Sequence, residues 1–164
     1  MMSKAQNQRQ RGMTLVEAVV GISLFALVIT GLAGAYFYYL RNVFKLTQTI
    51  QGSYLAEEGI EAIRSMRDNG WSASFNVYVP GTTYYFEWSG SKWLATTVPT
   101  TTDGIFYRKF TVETVERNAS DDIVASGGTV DSGTKKATVV VSWPSQNGTT
   151  TATTSTYFTN LFGK

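Results

Sequence analysis

The side chains that do most enzymatic chemistry are missing from this sequence. It has no histidine and no cysteine among its 164 residues, so imidazole catalysis, thiol nucleophiles, disulfides and zinc–thiolate sites are excluded. The absence of cysteine does not fix the compartment, because extracytoplasmic proteins also lack disulfides. The remaining reactive groups are carboxylates, and they fall into two settings. Asp103, Asp121, Asp122 and Asp131 sit in stretches rich in Gly, Thr and Ser. Calcium takes oxygen ligands, so Asp121, Asp122 and Asp131 are the residues to weigh for a metal, although no EF-hand spacing is present. Solvated loop acids are the simpler reading, with no cofactor. The other setting is Glu17. It stands near the start of "RGMTLVEAVVGISLFALVITGLAGAY", residues 11–36, in an otherwise unbroken apolar stretch. Nothing places two carboxylates together in a cleft, and there is no Gly-rich phosphate loop, so the sequence is not read as an enzyme.

The element that carries Glu17 is of membrane length. Residues 18–40 hold no charged side chain, and these 23 positions suffice to span a bilayer of ~30 Å at ~1.5 Å per residue. Lys4, Arg9 and Arg11 precede it, and positive charge on that side predicts a cytoplasmic N-terminus. The run is too long for a secretory h-region and ends in Tyr36-Phe37-Tyr38-Tyr39-Leu40-Arg41 without a small-x-small cleavage site. A plain uncut anchor would let Glu17 reach back to the cytoplasmic face. Cleavage after Gly12 would instead create an amino terminus at Met13 and place Glu17 fifth in the mature chain.

Basic leader, Gly12, Met13-Thr14-Leu15-Val16-Glu17 and an apolar helix together resemble the class III signal of type IV prepilins and type II secretion pseudopilins. The resemblance spans about 30 residues. It implies that prepilin peptidase cuts after Gly12 and methylates the new amino group of Met13. It further implies that Glu17 pairs with the amino terminus of a neighbouring subunit during assembly. Phenylalanine is commonest at the position of Met13, so this chain departs there. The proline that many type IV pilins carry near mature position 22 is replaced by Gly34.

A required ion pair would fix the axial register between otherwise slippery helices. Ala26, Thr30 and Gly34 recur at i, i+4 on one face, with Gly31 and Ala35 beside it, which suits close helix approach. The implied partners are other pilin subunits, prepilin peptidase, an inner-membrane assembly platform and the lipid bilayer before assembly. The implied location is the inner membrane, then an extracellular filament or a periplasmic pseudopilus.

The remaining elements follow from periodicity. Residues 41–69 become amphipathic, with Val43, Leu46, Ile50 and Tyr54 continued by Leu55, Gly59, Ala62 or Ile63, and Met66. Glu57, Glu58, Glu61, Arg64 and Arg67 fall off that stripe as a solvated face, and Glu61 and Arg64 are spaced to pair. Asn69-Gly70 predicts the helix stop. From Trp71 the period becomes two. Strands are expected at 82–88, 92–96, 105–118, 134–143 and 149–162, with a Gln146-Asn147-Gly148 turn before the last. The expected fold is α+β: a pilin-like roll in which one long N-terminal helix packs on a C-terminal antiparallel β-meander. The organisation read from the sequence is leader 1–12, membrane or filament-core helix 13–40, amphipathic helix half 41–70 and β-rich head 71–164.

Other features are weaker. Trp71, Trp88, Trp93 and Trp143 invite a carbohydrate-stacking reading but suit a core better. Asn118-Ala119-Ser120 and Asn147-Gly148-Thr149 match the N-glycosylation pattern. From Met13 onward the chain holds 11 basic and 12 acidic residues, so no nucleic-acid partner is indicated. The missing cysteines and the stretch "AEEGIEAIRSMRDN" (56–69) favour a minor pilus subunit. Major pilin and secretion pseudopilin stay open, as does an uncut membrane-anchored protein whose β head binds a ligand or envelope partner.

Overall fold

The computed structural model describes residues 12–145 and 148–161. The leader before Gly12 and the Gln146-Asn147 part of the expected turn lie outside them. The chain forms two compact units, one up to Phe44 and one from Lys45. A single α-helix, α1 (Leu15–Asp68), contributes to both. Thr14 starts it: the Thr14 hydroxyl accepts from the Glu17 N–H at 3.3 Å, satisfying one of the first-turn donors. It stops where expected. Gly70 has φ 133°, a conformation that suits glycine, and its N–H donates to the Arg67 carbonyl at 3.0 Å.

The first unit contains only the N-terminal part of α1. Among the described residues, its large apolar side chains other than the half-buried Leu40 are exposed, from Leu15 at 82% through Phe25 at 68% to Tyr38 at 72%. The helix polar groups are satisfied locally: Ser23 Oγ donates to the Val19 carbonyl at 2.7 Å and Thr30 Oγ1 to the Ala26 carbonyl at 2.8 Å.

The second unit packs the C-terminal part of α1 against one antiparallel sheet. The strands are β1 (Thr83–Trp88), β2 (Trp93–Thr96), β3 (Thr101–Thr102), β4 (Phe106–Arg117), β5 (Ile123–Val124), β6 (Thr129–Ser145) and β7 (Gly148–Thr159). Their order is β2-β1-β4-β6-β7, with β3 and β5 also paired to β4. Only β4-β6-β7 is a true meander. The β1–β2 hairpin keeps β2 at the sheet margin, and the chain returns past β1, where the Thr100 hydroxyl donates to the Phe86 carbonyl at 3.1 Å. The β3–β4 turn has positive φ at Asp103 (52°) and Gly104 (74°), residue types that tolerate this region.

Along β4, Phe106, Arg108, Phe110 and Val112 alternate on the buried face. Thr114, next in that alternation, is exposed. The register with β6 shifts there: Thr114 pairs with Lys135 but Val115 with Asp131. The bulge on β6 reverses which residues face inward, so Val115 becomes buried.

The later half of the expected stripe covers this sheet, and its first half does not. Val43, Leu46, Ile50 and Tyr54 are between 40% and 66% exposed. The buried face is Gly52, Ala56, Gly59, Ala62, Ile63 and Met66. Small helix residues let the sheet supply the bulk. A Cβ on Gly52 would collide with the Trp143 ring, and one on Gly59 would come within 2.7 Å of Val139 Cγ1. Gly52→Ala is therefore expected to destabilise the fold by about 1–2 kcal/mol, because ring displacement outweighs the gain in helix propensity. Denaturant unfolding of the chain in detergent measures this; a stabilised variant would show that the contact relaxes freely.

Arg108 ties helix to sheet. It is buried, lies 3.1 Å from Glu58 Oε2 and donates to the Leu55 carbonyl at 3.3 Å. Its guanidinium also covers the Phe86 and Trp93 rings, at 4.8 and 5.2 Å from their centroids. Glu58 stays exposed, as expected of the solvated face, and pairs with Arg108 from there. The expected Glu61–Arg64 pair is present at 2.7 Å.

Candidate functional site

At the head of α1, Thr14 and Glu17 form the forward half of a capping box, T-x-x-E, which places Glu17 in the first helical turn. A carboxylate there is favoured by the partial positive charge of the helix N-terminus. Gly12, Met13 and Glu17 are all exposed. Among the described residues, no cation lies within ion-pair distance of Glu17. The Thr14-x-x-Glu17 spacing is the sequence signal for this cap.

Around this carboxylate the surface is wholly apolar. The window of α1 that passes the test for a membrane span has mean hydropathy 2.3 and none of it is buried. A core helix of a soluble protein would be covered by its own chain; this one is not. Ala26, Thr30, Gly31 and Gly34 lie on this bare helix. A Cβ built on Gly31 or Gly34 meets nothing within 4 Å, in contrast to Gly52 and Gly59. The Thr30 hydroxyl is already engaged with the Ala26 carbonyl, which lowers the cost of placing it in an apolar phase.

The acidic residues of the 118–133 region are organised by a cation from the protein itself. Arg117 Nε donates to Asp131 Oδ2 at 2.8 Å and lies 3.6 Å from Asp121 Oδ1. The other Asp131 oxygen accepts from the Gly133 N–H at 2.8 Å. Asp121 has φ 68°, a turn conformation. Asp122 faces Asn118, whose Nδ2 donates to it at 3.4 Å. Among the described residues, no group of three or more metal-binding side chains converges.

These residues line an open polar groove of about 790 Å³. The hydrogen bond from Arg117, aided by the Thr134 hydroxyl and the Gly133 N–H, lowers the Asp131 pKa from 3.8 to about 2. The sign follows: stability from this pairing is complete above pH 3.8 and is lost as pH falls from 3.8 towards 2. Asp131→Asn is expected to flatten that part of the acid limb, as followed by thermal midpoints of both proteins across this window. Parallel limbs would show that the pair contributes nothing.

Of the four tryptophans, Trp71 and Trp143 are in the core, while Trp88 is 54% exposed and pairs edge-on with Trp93 at 5.2 Å. Asn118 uses its side-chain oxygen to accept from the N–H groups of Ser120 and Asp122, both at 2.9 Å. The second glycosylation pattern begins at Asn147, outside the described residues.

Residues 7–33 match the family model of the prokaryotic N-terminal methylation motif, the prepilin-type signal of type IV pilins and pseudopilins. The match covers the end of the leader from residue 7, Gly12, Met13, Glu17 and most of the apolar helix. No curated protein and no solved structure matches the chain significantly. The motif supports a type IV pilin-like or pseudopilin protein, and with the apolar helix it fits a membrane-anchored single-pass chain.

Proposed function

We propose that this chain is a structural subunit, of the minor class, of a type IV pilus or pilus-like filament. Prepilin peptidase cuts it after Gly12 and methylates the amino group of Met13. The mature chain waits in the inner membrane and then polymerises through the apolar part of α1. The observation that carries this reading is the first-turn Glu17 at the start of an exposed apolar helix segment, within a matched methylation motif. A helix of that kind needs an apolar phase, and both lipid and neighbouring helices provide one. In the filament the Glu17 carboxylate accepts from the N-methylated terminus of the adjacent subunit, which compensates its burial. Ala26, Thr30, Gly31 and Gly34 form the close-approach face. The absence of cysteine removes the disulfide-bounded loop found in many major pilins, which is why a minor role is preferred. No catalytic role and no cofactor are part of this reading.

The test is N-terminal peptide mass spectrometry on protein from native membranes or sheared filaments. The expected chain begins at N-methyl-Met13. A chain still carrying residues 1–12, in cells with active prepilin peptidase, would return the protein to an uncut membrane-anchored binding module.

A further inference from the structure

We propose that Thr14 is a positioning residue for the cleavage after Gly12, because its hydroxyl stops α1 short of the bond to be cut. This role rests on the processing given under Proposed function and adds what keeps that bond within reach. α1 begins at Leu15, and residues 12–14 lie outside it, all exposed. The first intrahelical bond runs from the Ala18 N–H to the Thr14 carbonyl at 3.1 Å, which makes Thr14 the N-cap. If the helix began one residue earlier, the Glu17 N–H would donate to the Met13 carbonyl. The Thr14 hydroxyl takes that N–H instead, at 3.3 Å. Among the described residues, nothing is hydrogen-bonded to the carbonyls of Gly12 and Met13.

The Gly12 carbonyl is the one that hydrolysis attacks. Water adds to its carbon, the bond to Met13 breaks, and the Met13 nitrogen takes up a proton. An enzyme that holds a substrate by its main chain needs unpaired N–H and C=O groups on an extended segment. A helix begun two residues earlier would withdraw them. Gly12 would then be the N-cap, a position that glycine fills about as well as threonine. Its carbonyl would accept from the Val16 N–H and be drawn into the first turn. Methionine is a good helix former, so Met13 offers no resistance to that start. The Thr14 hydroxyl is what decides between the two.

An N-cap is ordinary in itself. Its place matters here, one residue beyond the nitrogen that cleavage would release. The family match does not depend on the helix geometry, and it spans the same bond. Direct recognition of the Thr14 side chain by the peptidase would make the opposite demand from a cap. A recognised shape tolerates valine, which has the outline of threonine without its acceptor, and rejects glycine and asparagine. A cap tolerates serine, asparagine and glycine, and rejects valine and alanine.

The test follows the rate of cleavage of the full chain in membranes that hold active prepilin peptidase. Thr14→Ser and Thr14→Asn are expected to be cut at least as fast as the native chain, and Thr14→Gly nearly as fast. Thr14→Val should be slower. Thr14→Ala should be slowest, because it loses the cap and gains helix propensity. Its rate should fall roughly two- to thirtyfold, the factor that loss of such a cap carries. The α-carbon chemical shift of Met13, measured on the uncut chain in detergent, reports the helix start directly. It should be extended in type for the native chain and Thr14→Ser, and helical for Thr14→Ala. Equal rates for all variants overturn the proposal, and so does the shape order, with Thr14→Val fast and Thr14→Gly slow. Slow cleavage of Thr14→Ala with an unchanged Met13 shift also overturns it. A native chain that keeps residues 1–12 overturns the processing itself, and that failure is distinct because no variant is then cut.

Discussion

Glu17→Ala is expected to leave cleavage after Gly12 intact while removing the subunit from filaments. Cleavage depends on the leader, Gly12 and the start of the apolar run, none of which this substitution touches. Helix initiation is also spared, because the Thr14 hydroxyl accepts from the backbone N–H of residue 17 and not from its side chain. The variant therefore isolates the carboxylate. Stripping one partner from a buried charge pair costs about 3–5 kcal/mol, so incorporation should fall by roughly two to three orders of magnitude. Glu17→Asp keeps the charge and shortens its reach, and should give a partial defect. Replacing Gly12 with a bulky residue should do the reverse and leave the leader attached. The measurement is the ratio of processed to unprocessed protein in membranes, alongside the amount in sheared filaments. Normal incorporation of Glu17→Ala would make the carboxylate a bystander at the membrane face. Thr14→Ala is the control for helix start, with a cost of about 0.5–2 kcal/mol for the lost cap.

The apolar helix that begins beside Glu17 was legible in the sequence, because 23 uncharged positions in a row exceed what most other elements use. The strands were legible where alternation is regular: β1, β2, β4 and β7 fall within a few residues of their expected limits. What failed has two physical causes. Hydrophobic periodicity looks for large side chains, so it began the stripe at Val43, Leu46, Ile50 and Tyr54; it found Gly59, Ala62, Ile63 and Met66 as their continuation and missed Gly52 and Ala56. Those small residues are buried because the bulk comes from Trp143, Val139 and Phe86 on the sheet. Bulges are the other cause. The early part of β6, with Gly127-Gly128 before it and Gly133 within it, reads as loop. Its pairing with Val115, Glu116 and Arg117 is visible only in three dimensions. The Arg108–Glu58 pair was half legible: alternation placed Arg108 inward, but nothing in the sequence named its partner.

That same contact face predicts the fate of the head without its helix. A fragment of residues 71–164 is expected to lack a cooperative thermal transition. The core of the second unit is shared, with Ala56, Ala62, Ile63 and Met66 from α1 packed among Phe75, Phe86, Phe110, Val139, Val141 and Trp143. Ile63 and Met66 are almost fully buried, and each contributes about 1.5–3 kcal/mol by its own burial. The larger loss is on the sheet, whose inner aromatic and valine side chains would face water. Arg108 would lose both Glu58 and the Leu55 carbonyl, leaving a guanidinium amid aromatic rings with fewer hydrogen-bond partners. Domains of this size hold only ~5–15 kcal/mol in reserve, so the ~3–6 kcal/mol from Ile63 and Met66 alone removes a large share of it. Circular dichroism of the 71–164 fragment against one beginning at Lys45 measures the difference. A sharp transition in the shorter fragment would mean that the sheet closes its own core. The helix would then be a stem leaning on a finished domain, and the tight contacts at Gly52 and Gly59 would serve alignment of the head rather than its folding.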